Sequence, residues 1–405
     1  RNPSGSSLRE DSETYRDFYR RINIANIILA EIDEVAVASP AEELDRIRIK
    51  GECHFLRASL YFMLVNLYGK AYDPSTAATD YGIPLKLTEY VEHDRDKDTQ
   101  FERTPVAQVY EQVVRDLKSA IAYLTESPQK NPLYRASKEA AQLLLSRVYL
   151  YMQDWHNAAL TAEELLKDDS RLYYMSERDA TKVFLTEDNS EVLFSQGSMN
   201  FYNGMTGSRG DFAVSDSLVD LYDEENDYRR SFFERNDVTY AYVLRHKYDT
   251  VSMPYVSNVF ALRIAEGYLN LAEAYAMEDN VEGANRYLRQ LRESRIRNYV
   301  HTNYSGEQLV EEIRLERRRE LCLEGHRWFD LRRYAVCAKY PYSKQIVHEF
   351  NVYDEGQNAW DHVDIYILEK NDPAYVMQIP KAVLEYDEQQ MPENPRNKRT
   401  PLEED

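Results

Sequence analysis

The sequence predicts a mainly α-helical fold of stacked helical hairpins, decorated by irregular loops and a few short strands. Three observations carry that expectation. Apolar residues recur at three- and four-residue spacing over long segments, small and aromatic residues fall where paired helices would cross and turn, and Pro, Gly and Asp cluster between the segments. Phe18, Ile22, Ala25, Leu29 and Ile32 step by four and three, predicting a first helix that ends near Pro40. Phe55, Ala58, Phe62 and Val65 continue the pattern in a second, stopped near Gly69. Thr104-Pro105 puts proline at the start of a third, with Val106, Tyr110, Val113, Leu117, Ala120 and Leu124 on its buried face. Ser137, Ala140, Leu144, Val148 and Tyr151 mark its partner, and Trp155, Ala158, Ala162 and Leu165 the next.

Asp154-Trp155-His156-Asn157-Ala158-Ala159 is close to the opening of a tetratricopeptide unit. A later pair follows the same plan, Ile264, Tyr268, Leu271 and Tyr275, then Val281, Ala284, Leu288 and Leu291. Glu191 to Ser195 and Tyr240 to Arg245 read as short strands. The predicted organisation is a single domain over 1–405. Helical repeats occupy about 14–168 and 259–333, loop-rich regions about 170–258 and 334–391, and a polar tail 392–405.

Bulk properties bound the function. With 405 residues, 43% hydrophobic and 30% charged, the chain can bury a large core. A net charge of −20 argues against a nucleic-acid partner, since phosphate contacts dominate such affinity. No stretch reaches the apolar length of a membrane span. Cys53, Cys322 and Cys337 lack CxxC spacing and read as buried thiols, with one disulfide as the alternative. The chain starts at Arg1 rather than Met, which reads as a processed or truncated N-terminus.

No HExxH, GxSxG, phosphate-cradling glycine loop or CxxC pair is present, so the expectation is no enzyme, no catalytic residue and no cofactor. Asp94, Asp96 and Asp98 alternate like the start of a calcium loop. However, Thr99 stands where that loop needs Gly and Pro105 where it needs a bidentate Glu, so no metal is expected. Binding chemistry is another matter. Sugar rings offer C–H faces to aromatics and hydroxyls to amides, carboxylates and arginine, the mix a small-ligand site provides. Trp360 lies among turn-formers and amides with Asn358 beside it, and is the leading platform candidate. Phe201, Tyr202 and Asn203, in a Gly-rich loop, are the second, and Tyr72 and Tyr81, after the second helix, the third. For each, a ring packed on its own scaffold is the alternative.

The densest chemistry lies in Glu320-Leu321-Cys322-Leu323-Glu324-Gly325-His326-Arg327-Trp328-Phe329-Asp330-Leu331-Arg332-Arg333, preceded by Glu316-Arg317-Arg318-Arg319. Guanidiniums match carboxylates bidentately, so Glu320, Glu324, Arg327, Trp328 and Asp330 are expected to hold the fold. With Gly51 to Gly69, Ile83-Pro84-Leu85, Arg263 to Ala274 and Gln378-Ile379-Pro380, in that order, this segment resembles the SusD/RagB-like nutrient-binding lipoproteins. The resemblance implies docking helices and ligand-facing loops at about 170–258 and 334–391. It implies cell-surface binding of oligosaccharides or polysaccharides and delivery to a SusC-like TonB-dependent transporter. It also implies an outer-membrane location through a lipid anchor missing from this chain. Peptide uptake, or a structural helical-repeat adaptor, are the alternatives.

Overall fold

The computed structural model describes residues 12–90, 101–130, 132–196, 213–237, 240–248, 256, 260–353, 360–388, 390–397 and 402–404. About half of the chain is helical. In chain order the helices are α1 (Glu13–Glu31), α2 (Pro40–Tyr68), α3 (Val106–Glu126), α4 (Lys138–Met152), α5 (Trp155–Asp168), α6 (Asp216–Val219), α7 (Ile264–Met277), α8 (Val281–Glu293), α9 (Gly306–Glu320), α10 (Arg327–Ala335) and α11 (Lys381–Tyr386). Strands β1 (Val192–Phe194) and β4 (Leu262–Arg263) pair antiparallel, as do β2 (Phe233–Arg235) and β3 (Tyr242–Leu244). The third sheet has the order β5 (Ile346–Tyr353), β6 (Trp360–Leu368), β7 (Leu402–Glu404). Two compact units emerge: Arg1–Ile24, Leu60–Glu111 and Trp328–Asp405 form the first, Ala25–Ser59 and Gln112–Arg327 the second.

Helical hairpins build the second unit, and one turn chemistry recurs in it. Gln153 (φ 60°) ends α4 in the left-handed region, and the Asp154 side chain then accepts from Asn157 N (3.3 Å) to start α5. Asp279 (φ 63°) and Asn280, which accepts from Gly283 N (3.0 Å), repeat the device between α7 and α8. A left-handed residue reverses the chain, and an Asp or Asn cap satisfies an orphan N–H. The start of α2 uses a related device: Ser39 Oγ accepts from Glu42 N (3.3 Å), and the Glu42 carboxylate reaches back to Ala38 N (2.6 Å). Helices cross closely where side chains vanish. A Cβ on Gly51 in α2 would lie 2.8 Å from Leu124 Cγ of α3.

Inside the second unit, the charged signature folds into a buried ion network. Glu320 pairs with Arg229 (2.8 Å), Arg295 (3.0 Å) and Arg263, and Glu316 with Arg229 (2.7 Å) and Arg292 (2.8 Å). Glu324 pairs with Arg263 (2.8 Å) and Lys247 (2.9 Å), and Glu191 with Arg295 (2.7 Å). Burial by itself would raise the Glu316 and Glu320 carboxyls. The guanidiniums of Arg229 and Arg292 around Glu316, and of Arg295, Arg263 and Arg229 around Glu320, outweigh it and hold both below the usual carboxylate range. A companion cluster joins Glu266 to Arg147 (2.5 Å) and Arg317 (3.1 Å). Expectation and structure part at Arg327, which is half-buried and makes no ion pair among the described residues. It sits at the first position of α10, one turn past the network's last carboxylate.

The three cysteines are free and buried, and burial pushes the Cys53 thiol up to about 11. Asp94, Asp96 and Asp98 lie outside the described residues, and no cluster of metal-ligating side chains occurs among those described. No helix among them is long and apolar enough to cross a membrane. The segment after Tyr334, irregular by sequence, contains the longest pair of strands described. Neither face of the β5–β6 hairpin holds a fully buried residue in β6, so no clean alternation marks it in the sequence.

Candidate functional site

In the first unit, buried tyrosines and one arginine shape a long connection between α2 and α3. Tyr19 Oη donates to Pro84 O (2.7 Å) and Tyr61 Oη to Lys86 O, fixing the extended segment after Gly82. Burial pushes the neighbouring Tyr15 hydroxyl up to about 12. Arg103 is buried and holds three stretches of the chain at once. It donates to Gly82 O (2.9 Å), Tyr68 O (2.8 Å), Tyr81 O (3.2 Å), Pro392 O (2.9 Å) and Asn394 Oδ1 (3.0 Å). Burial lowers its pKa, the cost of a guanidinium held largely by carbonyls.

The C-terminal carbonyls of α2 have no partners within the helix. Arg332 of α10 donates to Asn66 O and Gly69 O, and Asn394 Nδ2 to Tyr68 O (2.7 Å). Positive charge at a helix C-terminus is favourable. The same contacts bring α10, the segment after Gly69 and the chain's closing segment around one cavity of about 430 Å³. Leu331, Arg332, Ala335 and Val336 line it from α10, and Lys70, Ala71, Asp73, Thr76 and Asp80 from the α2–α3 connection. Ser343, Lys344, Asn371 to Val376, and Asn394 and Pro395 complete it, apart from Ala374.

Tyr375 supplies the aromatic surface. Its ring lies 4.9 Å from that of Trp328, tilted by 32°, and its hydroxyl donates to Lys344 O (2.9 Å). The lining carboxylates all have donors. Asp73 accepts from Ser75 N (2.9 Å) and Ser75 Oγ (2.6 Å), and Asp80 from Lys70 Nζ (2.6 Å) and Thr76 Oγ1 (2.7 Å). Asp372 accepts from Ala374 N (2.8 Å). Three carboxylates face Lys70, Arg332 and Lys344, so the wall is formally neutral. An aromatic surface with fixed hydroxyl, amide and carboxylate groups and no net charge suits an uncharged polyhydroxylated ligand.

The sequence candidates distribute unevenly. None of the described ones lines the cavity: Tyr72 lies between lining residues Ala71 and Asp73, but its ring packs edge-on against Tyr110, 5.1 Å between centroids. Tyr81 is half exposed, with the Arg103 guanidinium 5.5 Å above its ring. Trp360, read as a loop residue, opens β6 and is 54% exposed. It pairs with Tyr353 at the hairpin's far end, roughly 26 Å from Leu368 at about 3.3 Å per residue. The cavity is lined at the near end, by residues flanking β5 and β6, so the structure does not bring Trp360 to it. Phe201, Tyr202, Asn203 and Asn358 lie outside the described residues. Sequence reading missed Tyr375, Arg103 and Arg332. Arg332 lay in the charged segment read as holding the fold and Tyr375 just past the aromatic-rich stretch after Tyr334, whereas Arg103 acts mainly through backbone carbonyls that leave no spacing pattern.

Residues 7–150 match a SusD-like family model described as starch-binding and associating with the outer membrane, and residues 230–396 match the SusD family model. Together the two matches take in more than half of the chain. Among curated proteins, the chain is 29% identical over 207 residues to the SusD-like protein P25 of Formosa agariphila, covering 50% of this chain and 36% of that protein. It is 25% identical over 342 residues to the SusD-like protein P2 of the same organism, covering 70% and 65%. The chain thus spans from about a third to about two thirds of the length of these relatives. A SusD-like carbohydrate binding protein from Bacteroides vulgatus shares the fold with a TM-score of 0.71, at 24% identity over 93% of this chain and 83% of that one. A SusD superfamily protein from Bacteroides thetaiotaomicron does so with a TM-score of 0.72, at 23% identity over 94% and 85%.

Proposed function

The chain belongs to the SusD/RagB-like family, and on that premise we propose that it is a binding protein, not an enzyme, that captures oligosaccharides or polysaccharides at the cell surface and passes them to a partner TonB-dependent transporter of the outer membrane. The carrying observation is the neutral cavity of the first unit, lined by Tyr375, whose ring packs at a tilt against Trp328. An aromatic ring held by its neighbour takes the sugar's C–H face while the surrounding hydroxyl, amide and carboxylate groups take its hydroxyls. Trp360, exposed at the end of the hairpin, is a further contact for a chain too long for the cavity. Lipid anchorage in the outer membrane accompanies this role.

The test is affinity electrophoresis of the parent chain and of Tyr375→Ala against a panel of neutral and acidic polysaccharides. Retardation of the parent by a neutral glycan, lost in the variant at unchanged melting temperature, is the expected result. Equal retardation of both proteins would remove the cavity from the site. Retention of peptides with no retardation by any glycan would replace the reading with peptide uptake.

A further inference from the structure

The connection between α8 and α9, in the second unit, carries a histidine with both ring nitrogens engaged. Asn285 of α8 fixes which nitrogen bears the proton. Its amide nitrogen donates to Val281 O (2.8 Å) and Tyr304 O (2.9 Å), and its amide oxygen accepts from Tyr304 N (3.0 Å). That oxygen lies 3.1 Å from His301 Nε2, so Nε2 is the donor. Nδ1 lies 3.1 Å from Tyr299 Oη, which already accepts from Arg292 Nη1 (3.4 Å). The tyrosine hydrogen therefore points at Nδ1, which must hold a lone pair. The arrangement requires a neutral imidazole.

We propose that His301 is an acid-sensitive latch: neutral, it holds residues 298–304 on α8, and on taking up a proton at Nδ1 it releases them. Nothing in this rests on the identity of the ligand.

Little else secures the stretch. Among the described residues, the hydrogen bonds of 298–304 run to Asn285 and Arg292 of α8 or join Tyr299 to His301. A proton on Nδ1 would meet the Tyr299 hydroxyl hydrogen head-on, and the hydroxyl must then turn away and give up its acceptor.

The surrounding charges oppose that proton as well. Arg292 and Arg289 face the ring from α8. The carboxylates of α9, Glu312 and Glu316, are taken by Arg292 at 2.8 Å each, and Glu293 of α8 lies 3.7 Å from Arg289. Arg297, earlier in the connection, sits over the Tyr228 ring at 5.5 Å, and the Tyr304 ring stands edge-on to the imidazole at 6.4 Å. No carboxylate contacts the imidazole among the described residues. Burial, then Arg292 and Arg289, lowers the His301 pKa below the ordinary histidine value.

The sign follows from linkage. The closed stretch prefers the neutral ring, so its hold is complete above the ordinary histidine value. Below it, the hold weakens by up to about tenfold per pH unit until the closed form itself takes up the proton. Glu316 and Glu320 stay ionised over this range, because their arginines hold them below the usual carboxylate values, so the latch opens before the buried network yields.

Backbone hydrogen exchange of the full chain, followed by mass spectrometry from about pH 7.5 to about pH 5 and corrected for the intrinsic rate, tests this. Tyr304 N, the one backbone N–H of 298–304 with an acceptor among the described residues, is the reporter. His301→Gln keeps a donor and an acceptor on the side chain but takes no proton. The expected result is protection of Tyr304 that falls by about tenfold or more toward acid in the parent and is flat with pH in His301→Gln, while the core of α8 stays protected in both. Flat protection in the parent would overturn the inference, and so would an equal fall in His301→Gln. A fall shared by the amides within α8 would overturn it too, since the change would then be general acid unfolding.

Discussion

Replacing Glu320 by glutamine should destabilise the second unit more than any surface change on the same helix. Glu320 faces three guanidiniums, Arg229 at 2.8 Å, Arg295 at 3.0 Å and Arg263, and is 2% exposed. Glutamine preserves shape and one acceptor oxygen but removes the charge, leaving three buried cations with less compensation. Breaking a buried pair in this way costs about 3–5 kcal/mol. At about 2–4 °C per kcal/mol for a folding unit of roughly 150–250 residues, the melting temperature should fall by about 6–20 °C. Glu311→Gln, on the exposed side of the same α9, removes a carboxylate of the same kind and should change stability by less than about 0.5 kcal/mol. Differential scanning calorimetry of both variants at neutral pH makes the comparison. If Glu320→Gln melts with the parent, the network is not holding the unit, and the argument from buried ion pairs fails.

Acid should act on the same network. The carboxyls of Glu266, Glu316, Glu320 and Glu324 lie below their unfolded values, as burial, which would raise them, is outweighed by their arginines. Their stabilisation is therefore complete above the unfolded carboxylate value and lost as pH falls through the folded ones, so urea midpoints should drop progressively below about pH 5. Midpoints that hold or rise down to about pH 3.5 would contradict this. Tyr375→Ala should weaken hexasaccharide binding by about 2 kcal/mol, roughly thirtyfold, read by titration calorimetry, and an unchanged affinity would clear Tyr375 of a binding role. Trp360→Ala should leave trisaccharide affinity unchanged and weaken retention by the polymer in affinity gels, since the indole stands at the end of the hairpin remote from the cavity. Equal retention of the polymer would remove Trp360 from the ligand path.

Sequence alone determined the helical architecture, because burial of a helix face writes itself into three- and four-residue spacing. Ile22, Phe62, Leu117, Leu144 and Leu288 are all buried where that spacing put them. The start of α5 at Trp155 was equally legible from its likeness to the opening of a tetratricopeptide unit, and the Asp154 cap that the structure adds is a local device. The buried role of Glu320 and Glu324 could be read too, because carboxylates among large apolar groups have few other fates. Their partners could not. Arg229, Arg263 and Arg295 lie outside the 316–333 segment, and only the fold brings them onto one carboxylate. The candidate site was decided the same way. Tyr375 and Asp73 are some three hundred residues apart in sequence and share a cavity only because Arg332 and Asn394 cap the end of α2. Trp360 shows the converse: its neighbourhood of turn-formers was visible, but its distance from the cavity depends on a hairpin whose long-range pairing no local pattern encodes.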